Sequence, residues 1–149
     1  LLGPARGASF RIGLPGGDFV PAKLVRRDKA RDLALLRIDE PPALPAFDHT
    51  PSDAAFGDRV VAIWIDPLAK PPRAPTLRTG RLVEEGAVQA GDGSSFTGVL
   101  IRVGASPGMS GAPVVDSAGR LLGLIQASDQ QAQTVLVPAR EVFAFAAEV

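Results

Sequence analysis

The chain of 149 residues contains no cysteine, no asparagine and a single histidine. Because cysteine is absent, the chain has no disulfide bonds and no thiolate nucleophile. One histidine is too few for the usual histidine-rich metal sites. These absences exclude disulfide-stabilised folds, cysteine-based catalysis and the common histidine-rich metal centres.

The chain also lacks an excess of charge of either sign and a long hydrophobic run. Its 16 basic and 16 acidic residues give a formal net charge of zero, so no basic field is available to hold nucleic acid through its phosphates. No apolar run reaches the roughly 18 residues that span a bilayer. We therefore expect no nucleic-acid partner and no membrane span in this chain. Hydrophobic residues make up 46% of the chain, which is enough for the core of one compact domain.

Short apolar segments with alternating polarity, separated by glycine and proline, predict an all-β barrel or sandwich. The predicted strands cover residues 9–14, 19–27, 33–38, 59–65, 77–88, 98–103, 112–115, 120–127 and 134–137. A proline-rich segment at 67–75 is interpreted as a linker between two half-domains. At the end of the chain, Val142, Phe143, Ala146 and Val149 follow Pro138 at helical spacing, which predicts a short amphipathic helix.

The stretch Pro107–Pro113 holds Ser110 between Gly108 and Gly111 and closes with a second proline. A serine is a poor nucleophile unless a base and an oxyanion site surround it. Glycine allows backbone N–H groups to approach a reacting carbonyl closely. From these residues alone, an acyl-transfer nucleophile and a tight turn with an incidental serine both remain open. The residues after them predict a hairpin with its turn at Gly119.

This stretch resembles the nucleophile loop of chymotrypsin-fold serine proteases, above all the bacterial HtrA/DegP-like branch, where it reads Pro-Gly-Asn-Ser-Gly-Gly-Pro. Three further segments resemble the same family, in the family's order along the chain. They are the strand pair 18–38 with its Asp32-Leu33-Ala34-Leu35-Leu36, the strand 56–63 with its Gly57-Asp58, and Thr79-Gly80-Arg81-Leu82-Val83. Together they form a strong signal, although each is weak alone.

The resemblance implies an all-β fold of two antiparallel six-stranded β-barrels with the active site between them and a short C-terminal helix. In this chain the first barrel would lack its N-terminal strands. The expected organisation is a single protease domain over 1–149. Its parts are a partial first barrel at 1–66, the linker at 67–75, a second barrel at 76–138 and the helix at 139–149.

The resemblance also implies the chemistry, which is hydrolysis of peptide bonds in a polypeptide substrate through an acyl-enzyme. Ser110 would be the nucleophile, and the N–H groups of Gly108 and Ser110 would form the oxyanion hole. Asp32 would orient a histidine, although by itself Asp32 also fits a solvated aspartate in a turn. Met109 and Ala112 depart from the family's Asn and Gly, but neither position supplies a reacting side chain. No metal or organic cofactor is implied, because the triad needs none.

The resemblance further suggests where a substrate side chain would bind and where the protein works. The pocket for the residue before the cut would be lined by Gly104, Ala105, Ser106, Gln126, Ala127 and Ser128. No acid is present there, so we expect a small or medium apolar side chain rather than Arg or Lys. The family usually works outside the cytoplasm, in the periplasm, in the cell envelope or as a secreted protein, and a homo-oligomer remains open.

The catalytic histidine is the main departure from the family, which carries it before the aspartate in a pattern like Thr-Ala-x-His-Val-Val. The first residues, Leu1-Leu2-Gly3-Pro4-Ala5, resemble what directly follows that histidine. We therefore expect the histidine and the first two strands to lie upstream of Leu1. His49 follows Asp32 in a proline-rich loop, which is the wrong order for a triad. It is interpreted as an exposed surface histidine.

Three interpretations of the missing base remain open: part of a complete protease, a product of autolysis whose upstream peptide stays bound, or a protease-like domain that no longer cuts. The first is favoured, because a barrel without two strands would leave sheet edges unpaired. The functional hypotheses are therefore a serine endopeptidase and a non-catalytic β-barrel that binds peptides or proteins. An α/β-hydrolase elbow is disfavoured, because it needs a strand-to-helix turn and β-like segments follow Ser110.

Overall fold

The computed structural model describes residues 9–66, 68–70, 73–128 and 133–147. This part of the chain forms nine strands and one helix. They are β1 (Phe10–Gly13), β2 (Phe19–Asp28), β3 (Leu33–Arg37), β4 (Arg59–Trp64), β5 (Thr76–Gln89), β6 (Ser95–Arg102), β7 (Pro113–Asp116), β8 (Leu121–Ser128), β9 (Gln133–Pro138) and α1 (Ala139–Ala147). Every predicted strand is present, with ends that shift by only a few residues, so the all-β prediction with a C-terminal helix is confirmed.

Six strands form a closed barrel in the order β4-β5-β6-β9-β8-β7, and β7 pairs back with β4. Alternate residues of each strand point inward, as the pleat of a strand requires. On β4, for example, Val60 and Ala62 are fully buried. The barrel core also contains Leu82, Val99, Ile101, Val103, Met109, Ala112, Val114, Leu122, Ile125 and Leu136. This apolar core supports the loop between β6 and β7, which carries Ser110.

The first three strands form a separate antiparallel sheet in the order β1-β2-β3, which is open rather than closed. Its strands, all of which the structure describes, bury only Ala22 and Leu33. Leu33 belongs to an apolar cluster that includes Phe96 and Val137 of the barrel. The sheet therefore corresponds to the expected partial first barrel and depends on its neighbours for apolar contacts.

The structure corrects the predicted boundary between the two barrels. β4 pairs with β5 from Arg59↔Arg81 to Trp64↔Thr76, so it belongs to the closed barrel and not to the partial one. The prediction of a partial first barrel reaching residue 66 and of a linker at 67–75 is therefore wrong. Segment 67–75, of which the structure describes 68–70 and 73–75, joins two neighbouring strands of one barrel. The sheet is joined to the barrel by residues 38–58.

The predicted hairpin after Ser110 is confirmed as β7 and β8. Its turn contains Gly119 at φ 79°, the left-handed region that glycine adopts without penalty. Asp116 is buried at the start of the turn, and its carboxylate accepts the N–H groups of Ala118 and Arg120 at 2.9 and 3.0 Å. The Ser52 hydroxyl donates to the same carboxylate at 2.7 Å, which attaches the 38–58 connection to the barrel.

Helix α1 begins directly after Pro138 and carries Glu141 in its first turn, where a negative charge favours the helix dipole. Val142 packs against the second apolar cluster, as predicted, together with Phe145. Phe143 does not join that cluster but stacks on His49, so its predicted place on the buried face is wrong. Val149 lies outside the described residues. Within these residues no helix is long and apolar enough to cross a membrane.

Candidate functional site

Ser110 is exposed in the loop between β6 and β7, just before β7 begins. The glycines on either side of it, Gly108 and Gly111, have φ of 92° and 87°. Residues with a side chain rarely adopt such values, so both positions require glycine. The Gly111 N–H donates to the Ile125 carbonyl at 2.7 Å, which attaches the loop to β8. The sequence therefore forms a tight, strand-anchored loop that presents a serine hydroxyl to solvent.

Met109 anchors this loop to the barrel core. Its side chain is 1% exposed and lies in the barrel core. Its sulfur accepts the Ser106 N–H at 3.1 Å, and its own N–H donates to the Ser106 carbonyl at 3.1 Å. The departure from Asn at this position thus replaces a polar residue with an apolar anchor. Ala112, the other departure, is buried and exchanges two backbone hydrogen bonds, with Met109 and with Ile125.

The backbone N–H groups of Gly108 and Ser110 have no hydrogen-bond acceptor in the described part of the chain. The Ser110 hydroxyl likewise has no partner among those residues. Unpaired N–H donors two positions apart in the sequence, on an exposed loop, are suited to bind an oxyanion beside the serine oxygen. These are the two donors that the sequence predicts for the oxyanion hole, and that role stays a prediction.

Asp32 lies in the turn between β2 and β3, where it is exposed and has φ of 54°. Asp28 builds this turn, because its carboxylate accepts the N–H groups of Ala30 and Arg31 at 2.9 and 3.1 Å. Burial raises the pKa of Asp28, but the hydrogen bonds and charge of Arg31 outweigh it, and the pKa lies below its usual value. The next residue, Leu33, is buried against the barrel.

Helix α1 holds this turn through two arginines. Arg31 forms ion pairs with Asp28 at 2.7 Å and with Glu141 at 2.9 Å. Arg26 donates to the carbonyl of Phe145, and its guanidinium lies over the Phe145 ring at 4.2 Å. This contact supplies a donor to a carbonyl of the last helical turn, where intrahelical partners run out. The C-terminal helix is thereby fastened to the segment that carries Asp32.

The structure brings some of the predicted site residues together and leaves others apart. Gly104, Ala105, Ser106, Gly108 and Ser110 share one loop, in which Ala105 packs on the barrel core. Gln126 is half-buried on β8, next to the residue that accepts the Gly111 N–H. The side chains of Ala127 and Ser128 are outside the described part. Asp32 belongs to the other sheet, and no hydrogen bond joins it to Ser110 among the described residues.

His49 is exposed, as predicted, and its ring stacks on Phe143 with centroids 5.0 Å apart and an interplanar angle of 28°. It therefore contacts the C-terminal helix rather than Ser110. The described residues hold no cluster of three or more histidine, aspartate or glutamate side chains that could bind a metal ion.

Two residues beside the loop were not predicted from the sequence. The indole Nε1–H of Trp64 donates to the Gly108 carbonyl at 3.2 Å. The Arg78 guanidinium donates to the Gly104 carbonyl and lies 5.8 Å from the centroid of the Trp64 ring. Trp64 and Gly108 are 44 residues apart in sequence, so no local pattern reveals this contact.

The sequence of the chain is similar to those of known proteins. Residues 2–124 match the family of the trypsin-like peptidase domain. The serine protease Do-like HtrA of Bacillus subtilis (strain 168) is 29% identical over 95% of this chain, which covers 33% of that protein. The chain spans a third or less of the length of the curated relatives it matches.

Solved structures agree with the fold. The HtrA-type protease AlgW with a decapeptide superposes with a TM-score of 0.75 and is 29% identical, covering 95% of this chain and 45% of that chain. The protease domain of MamO from Magnetospirillum magneticum gives a TM-score of 0.72 at 24% identity, covering 92% of this chain and 74% of that one. At that identity the MamO similarity supports the fold alone.

Proposed function

Because the chain belongs to the trypsin-like peptidase domain family, we propose that its sheet, barrel and helix form the catalytic part of a serine endopeptidase. The Ser110 oxygen attacks the scissile carbonyl, and its proton passes through a base to the leaving amine as the C–N bond breaks. Water, deprotonated by the same base, then attacks the acyl-enzyme and releases Ser110 and the new carboxylic acid. No cofactor takes part in either step.

The observation that carries this proposal is the pair of N–H groups at Gly108 and Ser110, which have no acceptor in the described part of the chain. They lie beside an exposed serine hydroxyl on a loop that two positive-φ glycines and the buried Met109 hold in shape. Donors that are already oriented stabilise the tetrahedral oxyanion without reorganisation. Loss of one such donor in comparable sites costs roughly 3–4 kcal/mol.

In this proposal Asp32 orients the base and stabilises its protonated form. His49 is not that base, because its ring stacks on Phe143 of α1. We assign the role to a histidine of the parent protein outside the 149 residues, upstream of Leu1. The triad would then combine groups from the open sheet and from the barrel loop.

The substrate class follows from the loop and from the relatives. The solved structure of the HtrA-type protease AlgW is one with a decapeptide, which supports a polypeptide substrate here. Residues 104–106 and Gln126 carry no acid, so we propose a small or medium apolar side chain before the cut. A peptide library cleaved mainly after Arg or Lys would contradict this preference. By the same family resemblance we propose a location outside the cytoplasm.

A binding module without catalysis is the competing function, and one observation favours it: the Ser110 hydroxyl has no base within hydrogen-bond distance among the described residues. Such a module would hold a peptide along the same loop without cutting it. The two functions differ in whether Ser110 reacts.

The test is labelling of the parent protein with a fluorophosphonate, with the adduct located by peptide mass. The proposal predicts an adduct on Ser110, none in Ser110→Ala, and an unchanged labelling rate in His49→Ala. Folded parent protein that gains no adduct on Ser110 would favour the binding module. A large loss of labelling in His49→Ala would show that the base has been assigned wrongly.

A further inference from the structure

The peptide unit between Gly108 and Met109 is held at both ends. Its carbonyl accepts the indole N–H of Trp64 at 3.2 Å, and its N–H donates to the Ser106 carbonyl at 3.1 Å. Both distances lie within the usual range for N–H···O hydrogen bonds. Of the three consecutive peptide units that end at Ser110, this is the middle one.

The two flanking peptide units carry the N–H groups of Gly108 and Ser110, the proposed oxyanion donors. Neighbouring peptide planes share a Cα and are related by its two backbone dihedrals, so a middle unit that is fixed at its carbonyl and at its N–H removes rotations through which the flanking planes could change direction. The contact with Trp64 therefore limits the directions in which both donors can point. Gly108 has φ of 92° and no side chain to restrict it, so the contact from Trp64 adds a restraint from outside the loop to the one that Ser106 provides within it.

Trp64 is itself fixed by its surroundings. It is the last residue of β4, lies opposite Thr76 of β5, and packs half-buried against the barrel core. Arg78 of β5 lies over its ring at 5.8 Å from the centroid and donates to the Gly104 carbonyl. One β-hairpin of the barrel thus contacts the nucleophile loop at two carbonyls, those of Gly104 and Gly108.

We propose that Trp64 and Arg78 are positioning residues that hold the oxyanion hole of Ser110 in its working geometry. The inference rests on the proposed function, because it assigns these residues a role in the reaction of Ser110. Neither side chain touches the substrate in this account. If Trp64 served only to fill space, its replacement by the smaller phenylalanine, which lacks the indole N–H, would lower stability but leave the reactivity of Ser110 in the folded protein unchanged.

The test compares Trp64→Phe and Arg78→Gln with wild type in the parent protein. Trp64→Phe keeps an aromatic ring at this position and removes the donor to Gly108 together with the smaller ring of the indole, and the thermal midpoint measures the packing that is lost with it. Arg81→Gln is the matched control, because Arg81 lies on the same strand and donates to a backbone carbonyl at 2.7 Å, that of Gly57, outside the nucleophile loop. For each protein one measures the rate of fluorophosphonate labelling on Ser110, kcat and KM for a peptide substrate, and the thermal midpoint.

We expect Trp64→Phe to label about 10-fold more slowly and to lose a similar factor in kcat, with KM within about twofold, because misplaced donors weaken transition-state binding. Arg78→Gln should show a smaller loss of the same kind, and Arg81→Gln none. If Trp64→Phe fails to fold, Arg78→Gln decides alone. Wild-type rates in both loop variants, or a loss in KM only, would overturn the inference while Ser110 remains reactive. Wild-type protein without label would overturn the proposed function, and this inference with it.

Discussion

The open sheet that carries Asp32 and the closed barrel that carries Ser110 are stabilised in different ways. The barrel has a continuous apolar core, with Val60, Ile101 and Leu136 fully buried. The strands of the sheet bury only Ala22 and Leu33, and Leu33 packs against the barrel. The barrel therefore supports its own loop, whereas the turn at Asp32 depends on contacts with other elements.

Those other contacts are mostly polar and reach the sheet through helix α1. Arg31 bridges Asp28 and Glu141, and Arg26 donates to the Phe145 carbonyl. Because partly exposed ion pairs contribute little each, the position of the sheet relies on several small terms. One half of the proposed site is thus fixed by its own apolar core, and the other by the packing of Leu33 and by a polar clamp, the contacts of Arg31 and Arg26 with α1.

The largest loss of stability is expected for a substitution that pushes two strands of the barrel apart. Gly80 lies in β5, where an added Cβ would lie 2.1 Å from the Arg102 carbonyl oxygen and 2.2 Å from Val103 Cγ2. Gly80→Ala must separate β5 from β6, and we expect a loss of about 3 kcal/mol in the free energy of unfolding. Chemical denaturation measures this loss.

Gly86 provides the matched control for that variant. It lies on the same strand, and an added Cβ there meets nothing within 4 Å. Gly86→Ala should therefore leave the free energy of unfolding almost unchanged. Equal losses in the two variants would show that close backbone approach does not limit β5, and that the barrel is less tightly packed than described.

A smaller loss of stability is expected at Asp116, whose carboxylate attaches the 38–58 connection to the barrel through Ser52. Burial raises the pKa of Asp116, but hydrogen bonds from Ser52, Arg120 and Ala118 and the charge of Arg120 outweigh it, and the pKa lies below its usual value. Because the folded-state pKa is the lower one, the stabilisation is complete above the unfolded value of about 3.9 and is lost as pH falls through the folded value.

We expect Asp116→Asn to lose about 1–3 kcal/mol of unfolding free energy at pH 7, since an amide cannot accept all of these hydrogen bonds. The stability of the variant should also fall less steeply than that of wild type below about pH 5. Denaturation curves at several pH values measure both. An acid dependence that is the same in variant and wild type would contradict the assignment.

The smallest change in stability is expected at the clamp itself. Glu141→Gln removes the charge that Arg31 contacts on α1 and leaves the pair with Asp28 in place. We expect a loss of about 0.5 kcal/mol, reduced by added salt. Arg140→Gln is the control, because Arg140 lies on the same helix but pairs with Glu85 of β5 rather than with the turn that carries Asp32. A loss that salt does not reduce would mean that the contact is not electrostatic.

Short apolar or alternating segments bounded by glycine and proline were sufficient to predict the strands, including β7 and β9, in which consecutive residues are buried. They could not assign β4 to a barrel, since the proline-rich segment 67–75 reads equally as a linker and as a long connection between paired strands. Helical spacing identified α1 but not its buried face. Phe143 and Phe145 are two positions apart, and only packing decides that Phe145 joins the core while Phe143 meets His49.

The nucleophile loop was the part of the candidate site that the sequence predicts most directly, because the positive φ at two of its positions requires glycine, and Gly108 and Gly111 are visible in the sequence. The contacts of Trp64 and Arg78 with that loop could not be predicted, since they depend on how β4 and β5 lie against it. The anchoring role of Met109 could not be predicted either, because it depends on packing in the barrel core that the loop motif does not encode.

The central claim is that Asp32 of the sheet serves Ser110 of the barrel. The most direct measurement is the rate at which a fluorophosphonate labels Ser110 in the parent protein, compared between wild type and Asp32→Asn. Asp39→Asn is the control, since Asp39 is an exposed aspartate that pairs with Lys23 at the end of the same sheet. We expect Asp32→Asn to lower the rate by about 10⁴-fold with an unchanged thermal midpoint, because a misoriented base no longer activates the serine. Equal rates in wild type and Asp32→Asn would contradict this claim.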